Sequence, residues 1–111
     1  MERQVLCLRY NNQLIWITIL KTVDLETVHV QPKNGKFHQI PSIVSKKDIV
    51  AVSNEVGSPF DRGCADAYYG SRRAEPHKFD TNMKTITELT EEETLQYLAG
   101  FYGETDRKNY D

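Results

Sequence analysis

The first 56 residues hold about five short runs of strand-forming residues, separated by turn chemistry and with no helical periodicity between them. Val5-Leu6-Cys7-Leu8-Arg9-Tyr10 is followed by Asn11-Asn12, a pair that tolerates the positive φ of a tight turn. Gln13 to Leu20 brings Ile15, Trp16, Ile17, Thr18 and Ile19, which are β-branched or aromatic. Thr27-Val28-His29-Val30-Gln31 alternates apolar with polar at period two. Pro32-Lys33-Asn34-Gly35-Lys36 carries an Asn-Gly turn signal. Phe37-His38-Gln39-Ile40 predicts a further short strand, and Asp48-Ile49-Val50-Ala51-Val52 closes the series. A two-stranded ribbon is not stable at this size. A small β-barrel or a bent antiparallel sheet buries these apolar faces best.

Residues 57–111 change character. Ser58 suits a helix N-cap, Pro59 the first helical position and Asp61 the first turn. The pattern predicts a helix from Pro59 to Tyr69, capped by Gly70, with Phe60, Cys64 and Ala67/Tyr68 on one face. Thr90 and Glu93 form a capping-box signature. It predicts a second helix from Glu91 to about Tyr102, with a stripe of Leu95, Leu98 and Tyr102, Tyr97 and Phe101 beside it, and Gly103 as its end. Residues 71–88 show no period and read as one long loop. Residues 104–111 read as a polar tail that frays.

Gly63 and Gly100 each cost a helix about 1 kcal/mol against Ala. With Ala67 and Ala99 they offer small surfaces on which two helices could cross closely. The alternative is that the glycines are simple end signals. The expected architecture is therefore α+β: a β-barrel or sheet module over 1–56, then an αα-hairpin over 57–111. Each module is near the size at which a lone core is marginal, so the two are expected to pack together or the chain to self-associate.

Charge is unevenly placed along the 111 residues, whose net is −2. Residues 1–56 hold seven Lys/Arg against five Asp/Glu, residues 57–79 four against three, and residues 80–111 three against eight. A nucleic-acid footprint could therefore exist only as a local patch. Cys7 and Cys64 match no zinc-ligand spacing and read as reduced, buried thiols. His29, His38 and His77 likewise lack metal-ligand spacing. No metal or cofactor is expected. No apolar run approaches the roughly 20 residues that span a bilayer, and the N-terminus lacks a signal-peptide pattern. The expectation is a soluble cytoplasmic protein with no membrane partner.

Arg62, Arg72, Arg73, His77 and Lys78, with Tyr68 and Tyr69, form the most suggestive set. Arginines grip phosphates or carboxylates, and tyrosines supply stacking surfaces. The bland alternative pairs Arg62 with Asp66 one turn on and leaves the loop charges solvated. A third possibility is that the loop arginines grip the acidic second helix. Glu91, Glu92 and Glu93 would suit a basic partner, although capping and dipole roles also account for them. Tyr10, Trp16, His29, Phe37 and His38 are weaker candidates for an aromatic surface, with Trp16 and Phe37 expected in the core. Cys64 with His77 and Asp61 or Asp80 could be imagined as a nucleophile set. Cys64 lies on an apolar helical face, however, which suits inert burial, and no catalysis is expected.

The stretch Pro59-Phe60-Asp61-Arg62-Gly63-Cys64-Ala65-Asp66-Ala67-Tyr68-Tyr69-Gly70, then Pro76-His77, Leu89-Thr90-Glu91-Glu92-Glu93 and Tyr97-Leu98-Ala99-Gly100-Phe101, resembles a family of short tailed-phage and bacterial proteins. Ser71 departs from it, where an Arg is usual. The same layout is more distantly similar to ribosome modulation factor, whose chain is strongly basic where residues 80–111 here are acidic. The N-terminal half resembles SH3-like or Tudor-like small barrels in pattern alone. The phage-type resemblance implies no established activity; the expectation for this chain is a non-enzymatic accessory protein that binds a host macromolecule, either nucleic acid or ribonucleoprotein, or a host defence protein that it inhibits.

Overall fold

The computed structural model describes residues 3–35 and 39–108. Strands β1 (Gln4–Tyr10), β2 (Gln13–Thr22), β3 (Thr27–Pro32), β4 (Ile43–Ser45) and β5 (Ile49–Ser53) form one antiparallel sheet, in the order β4-β3-β2-β1-β5. A single 3-10 turn, Lys46–Asp48, joins β4 to β5, with Ser45 as its cap. Helices α1 (Pro59–Tyr68) and α2 (Glu91–Gly103) follow, and the segment between them contains a small hairpin of β6 (Lys78–Phe79) and β7 (Thr85–Ile86).

The β1–β2 turn places Asn11 at φ 50° and Asn12 at φ 61°, the left-handed pair that a two-residue hairpin of the favoured twist demands. The strand expected over Phe37–Ile40 is not found at Gln39 and Ile40, which are irregular, while Phe37 and His38 lie outside the described residues. The fourth strand instead starts after Pro41, and Ile40 packs as a loop residue against the core. The 71–88 segment is a hairpin rather than a plain loop. Asp80 Oδ1 accepts from the Asn82 and Lys84 amides and so holds its turn. Strands of two residues are too short to show a period in the sequence.

Where β1, β2 and β5 meet the helices, the sheet is covered on both faces. On one face Leu8, Ile15, Ile17, Val28, Val30 and Val44 form a buried cluster, with Tyr10, Ile40 and Ile49 packed on it. The sheet and the approach to β4 supply this entire cluster. A register shift between Ile19 and Lys21 opposite β3 increases twist locally. On the other face Cys7, Leu14 and Val52 join Phe60 of α1 and Ala99 of α2, flanked by Val5, Trp16, Val50, Cys64 and Leu95. The β and helical halves therefore share a core. Adjacent residues of β2 serve opposite sides: Leu14 and Trp16 meet the helices, Ile15 and Ile17 the inner cluster. That explains the consecutive apolar residues Leu14 to Ile17 in β2, a pattern of strands covered on both faces, whereas Thr18 to Thr22 are exposed.

The helices cross backbone to backbone. A Cβ at Gly63 would lie 2.0 Å from the Tyr97 carbonyl oxygen, and one at Gly100 would lie 2.3 Å from that of Phe60. Neither is a space a methyl can occupy. The two glycines are thus crossing residues and not end signals. The face α2 buries differs from the predicted stripe. Tyr97, Ala99, Gly100 and Gly103 are buried, whereas Leu95, Leu98 and Tyr102 are half-buried. Gly103 also departs from its expected capping role. It is the last helical residue, and a Cβ there would meet Trp16 Cβ at 2.9 Å. Trp16 in turn sets its ring edge-to-face on Phe60, 5.0 Å between centroids. Both cysteines are free, and burial pushes each thiol up to about 12.

Gly63→Ala and Gly100→Ala should each force the helices apart. Overpacking of a tight core costs about 1–3 kcal/mol and occasionally more. Each variant should therefore melt at least several degrees below the parent. Gly70→Ala, whose added Cβ meets nothing within 4 Å, should lose only the preference for a left-handed backbone, on the order of 1 kcal/mol. A thermal melt that ranks Gly70→Ala as the most damaging of the three would contradict the crossing.

Candidate functional site

The residues singled out between Arg62 and Lys78 separate into an inner network and an outer platform. The inner network lies where α1, α2 and the β6 strand meet. The Tyr97 hydroxyl donates to Asp66 Oδ2 and accepts from the Glu75 amide at 3.2 Å. Burial first, and then the Asp66 hydrogen bond, push the Tyr97 phenol well above its ordinary range. Arg62 Nε donates to His77 Nε2 at 3.3 Å, and His77 Nδ1 lies 2.7 Å from the Glu75 carbonyl oxygen. Because a guanidinium can only donate, Nε2 is the accepting nitrogen of this pair and Nδ1 faces the carbonyl. Asp66 Oδ2 stands 3.9 Å from that nitrogen. The Arg62 guanidinium sits over the Phe79 ring, 4.3 Å from its centroid, a cation–π arrangement. The pairing of Arg62 with Asp66 expected from helical spacing is thus replaced: Asp66 turns to Tyr97, and Arg62 turns to His77 and Phe79.

The acidic start of α2 is engaged in the same way. Glu93 Oε1 accepts from the Thr90 amide, completing the capping box, while Oε2 takes the Lys78 ammonium. Glu92 forms a two-pronged pair with Arg9 of β1, at 2.8 and 3.1 Å. Glu91 is exposed. Cations do grip the acidic helix, but they are Lys78 and Arg9 rather than the loop arginines.

The outer platform lies at the C-terminal end of α1. Gly70, at φ 82°, closes a Schellman motif: the Ser71 amide donates to Asp66 O and the Gly70 amide to Ala67 O. Tyr68 and Tyr69 project there, 37% and 57% exposed, with rings edge to face at 5.0 Å. Arg72 and Arg73 follow at once and are exposed. Arg73 makes only a long pair with Glu75, 3.8 Å, with both side chains solvated, a contact of little energy.

The tail does not fray as expected over its described part, Glu104 to Lys108. The Lys108 amide donates to the Tyr68 carbonyl at 2.8 Å, and Arg107 Nη1 donates to Ala67 O. Lys108 Nζ lies 5.3 Å from the centroid of the Tyr69 ring. Sequence reasoning passed over Arg107 and Lys108 because the surrounding third is acidic. The available signal was a basic pair one helix length beyond Glu93.

Cys64 and His77 do not form a nucleophile–base pair. The Cys64 sulfur belongs to the helix crossing, 3.1 Å from where a Gly100 Cβ would stand. Both His77 nitrogens are engaged elsewhere. Among the described residues no three His, Cys, Asp or Glu side chains gather as a metal site, and no helix is long and apolar enough to cross a membrane. Searches against protein-family models, curated proteins and solved structures returned no match.

Two predictions follow from the network. Tyr97→Phe strips a donor from Asp66 and an acceptor from the Glu75 amide, and should cost about 1–3 kcal/mol in chemical denaturation. The second concerns acid. Hydrogen bonding to Lys78, then to the Thr90 amide, holds the Glu93 carboxyl below its ordinary 4.5, and Arg9 does the same for Glu92. A depressed carboxylate stabilises above its unfolded pKa and loses that contribution as pH falls through the lower folded value. Stability should therefore decline below about pH 4.5, and Glu93→Gln should show a smaller decline over that window. An identical acid profile in the variant would refute the assignment.

Proposed function

We propose that the protein works by binding, without catalysis, and that its ligand is nucleic acid or a ribonucleoprotein met at the C-terminal end of α1. One observation carries this reading: Tyr68 and Tyr69 stand exposed beside Arg72 and Arg73, with Arg107 and Lys108 brought to the same helix end. Cations for a phosphate backbone and aromatic faces for bases are the two elements such sites combine. Arg62, His77 and Lys78 are engaged within the protein, by His77 and Phe79, by Glu75 and by Glu93, and tie down the chain that follows Arg72 and Arg73. The sheet belongs to the same reading as an SH3-like small barrel, because its inner cluster draws on the sheet from β4 to β5. An accessory role in a phage-infected bacterial cytoplasm follows from the resemblance over residues 57–111.

Contact of Glu91–Glu93 with a basic host protein has less support. Glu92 and Glu93 are already neutralised by Arg9 and Lys78, which leaves Glu91 as the exposed acid of the three.

Fluorescence anisotropy against mixed-sequence oligonucleotides over a salt series tests the proposal. Affinity should fall as salt rises. Arg72→Ala with Arg73→Ala should flatten the log–log slope by about 0.7–0.9 per arginine, with an unchanged melting temperature. A parent protein that binds neither RNA nor DNA, or a double variant that binds like the parent, would sink the reading.

A further inference from the structure

The carboxyl end of α1 poses an electrostatic problem for any phosphate ligand. A helix C-terminus carries about half a negative charge on its unsatisfied carbonyls, which repels anions. Here the last four carbonyls of α1 are all occupied. Ala65 O accepts from the Tyr69 amide, Asp66 O from Ser71, Ala67 O from Gly70 and from Arg107 Nη1, and Tyr68 O from the Lys108 amide. The partner of Tyr68 O, and the charged partner of Ala67 O, come from the tail, 40 residues further along the chain. Docking of the tail thus places a guanidinium against the negative end of α1 and sets an ammonium near the face of Tyr69.

We infer that Arg107 and Lys108 are working parts of the binding surface, and that the completed surface takes a single strand of nucleic acid rather than a duplex. This rests on the reading above that the platform binds nucleic acid. Stacking on a tyrosine requires a base free of its own stack, which a paired helix does not present. Tyr68 and Tyr69 are sequence neighbours with ring centroids 5.0 Å apart and planes at 87°. Such an arrangement suits splayed bases on differently oriented rings and does not suit the regular face of a duplex. Arg72 and Arg73, which follow the tyrosines in the chain and are exposed, and the tail cations docked at Ala67 to Tyr69 supply the backbone-neutralising charge.

The experiment compares one labelled oligonucleotide as single-stranded RNA, as single-stranded DNA and as the matching duplex, each with the full chain. Both single strands should bind at least about tenfold tighter than the duplex. Tyr69→Ala should weaken single-strand binding by about tenfold, while Tyr69→Phe, which keeps the ring, should bind like the parent. Lys108→Ala keeps the main-chain bond to Tyr68 and should flatten the salt slope by about 0.7, as should Arg107→Ala. A melting curve for each variant separates lost binding from lost folding. Equal affinity for duplex, a neutral Tyr69→Ala, or an unchanged slope in both tail variants would overturn this inference and leave nucleic-acid binding standing. Capture of a polyglutamate peptide with no binding of any oligonucleotide would overturn the inference and the broader reading together.

Discussion

The contact between the backbones of α1 and α2 at Gly63 and Gly100 governs much of the remaining architecture. With no side chain between them at this point, the helices form a thin pair whose inner surface also holds Phe60, Tyr97 and Ala99. Phe60 and Ala99 then reach the sheet together and join Cys7, Leu14 and Val52. A wider crossing would lift one helix off that core. The roughly 1 kcal/mol that each mid-helix glycine costs locally is offset by packing that only this approach permits.

The sheet meets the helices through β1, β2 and β5, the three strands that contribute to the shared core. Because the opposite face of the same strands belongs to a second cluster with β3 and β4, the central strands are buried twice. In a chain of 111 residues, where surface is high relative to volume, this is how a short sheet anchors two cores. Trp16 and Gly103 add a further lock between β2 and the end of α2.

Polar groups follow the same geometry. Tyr97 is buried by the crossing, so its hydroxyl must find partners, and Asp66 and the Glu75 amide supply them. Glu75 in turn orients His77, which receives Arg62. The segment after α1 is tied down from within by this chain of contacts, while its outward residues Arg72 and Arg73 stay exposed. The division between an inner supporting layer and an outer basic, aromatic layer arises from where Tyr97 had to be buried.

Local chemistry made several elements legible in the sequence alone. Asn11-Asn12 fixed the first hairpin, Ser58-Pro59 and Thr90 with Glu93 fixed both helix starts, and Gly70 fixed the end of α1. Each acts through bonds within a few residues, so neighbours in the sequence suffice to read it. Other features needed the tertiary structure because their partners are remote in the chain. Gly103 reads as a cap but is held by Trp16. Asp66 reads as a partner for Arg62 but answers a buried tyrosine 31 residues away. Arg107 and Lys108 read as part of an acidic, frayed tail, yet they meet α1 about 40 residues back. Capping, turn formation and strand propensity are short-range and are written in adjacent residues. Which polar group is buried, and which cation can reach it, depends on the packing of distant segments and was decided only when the helices crossed.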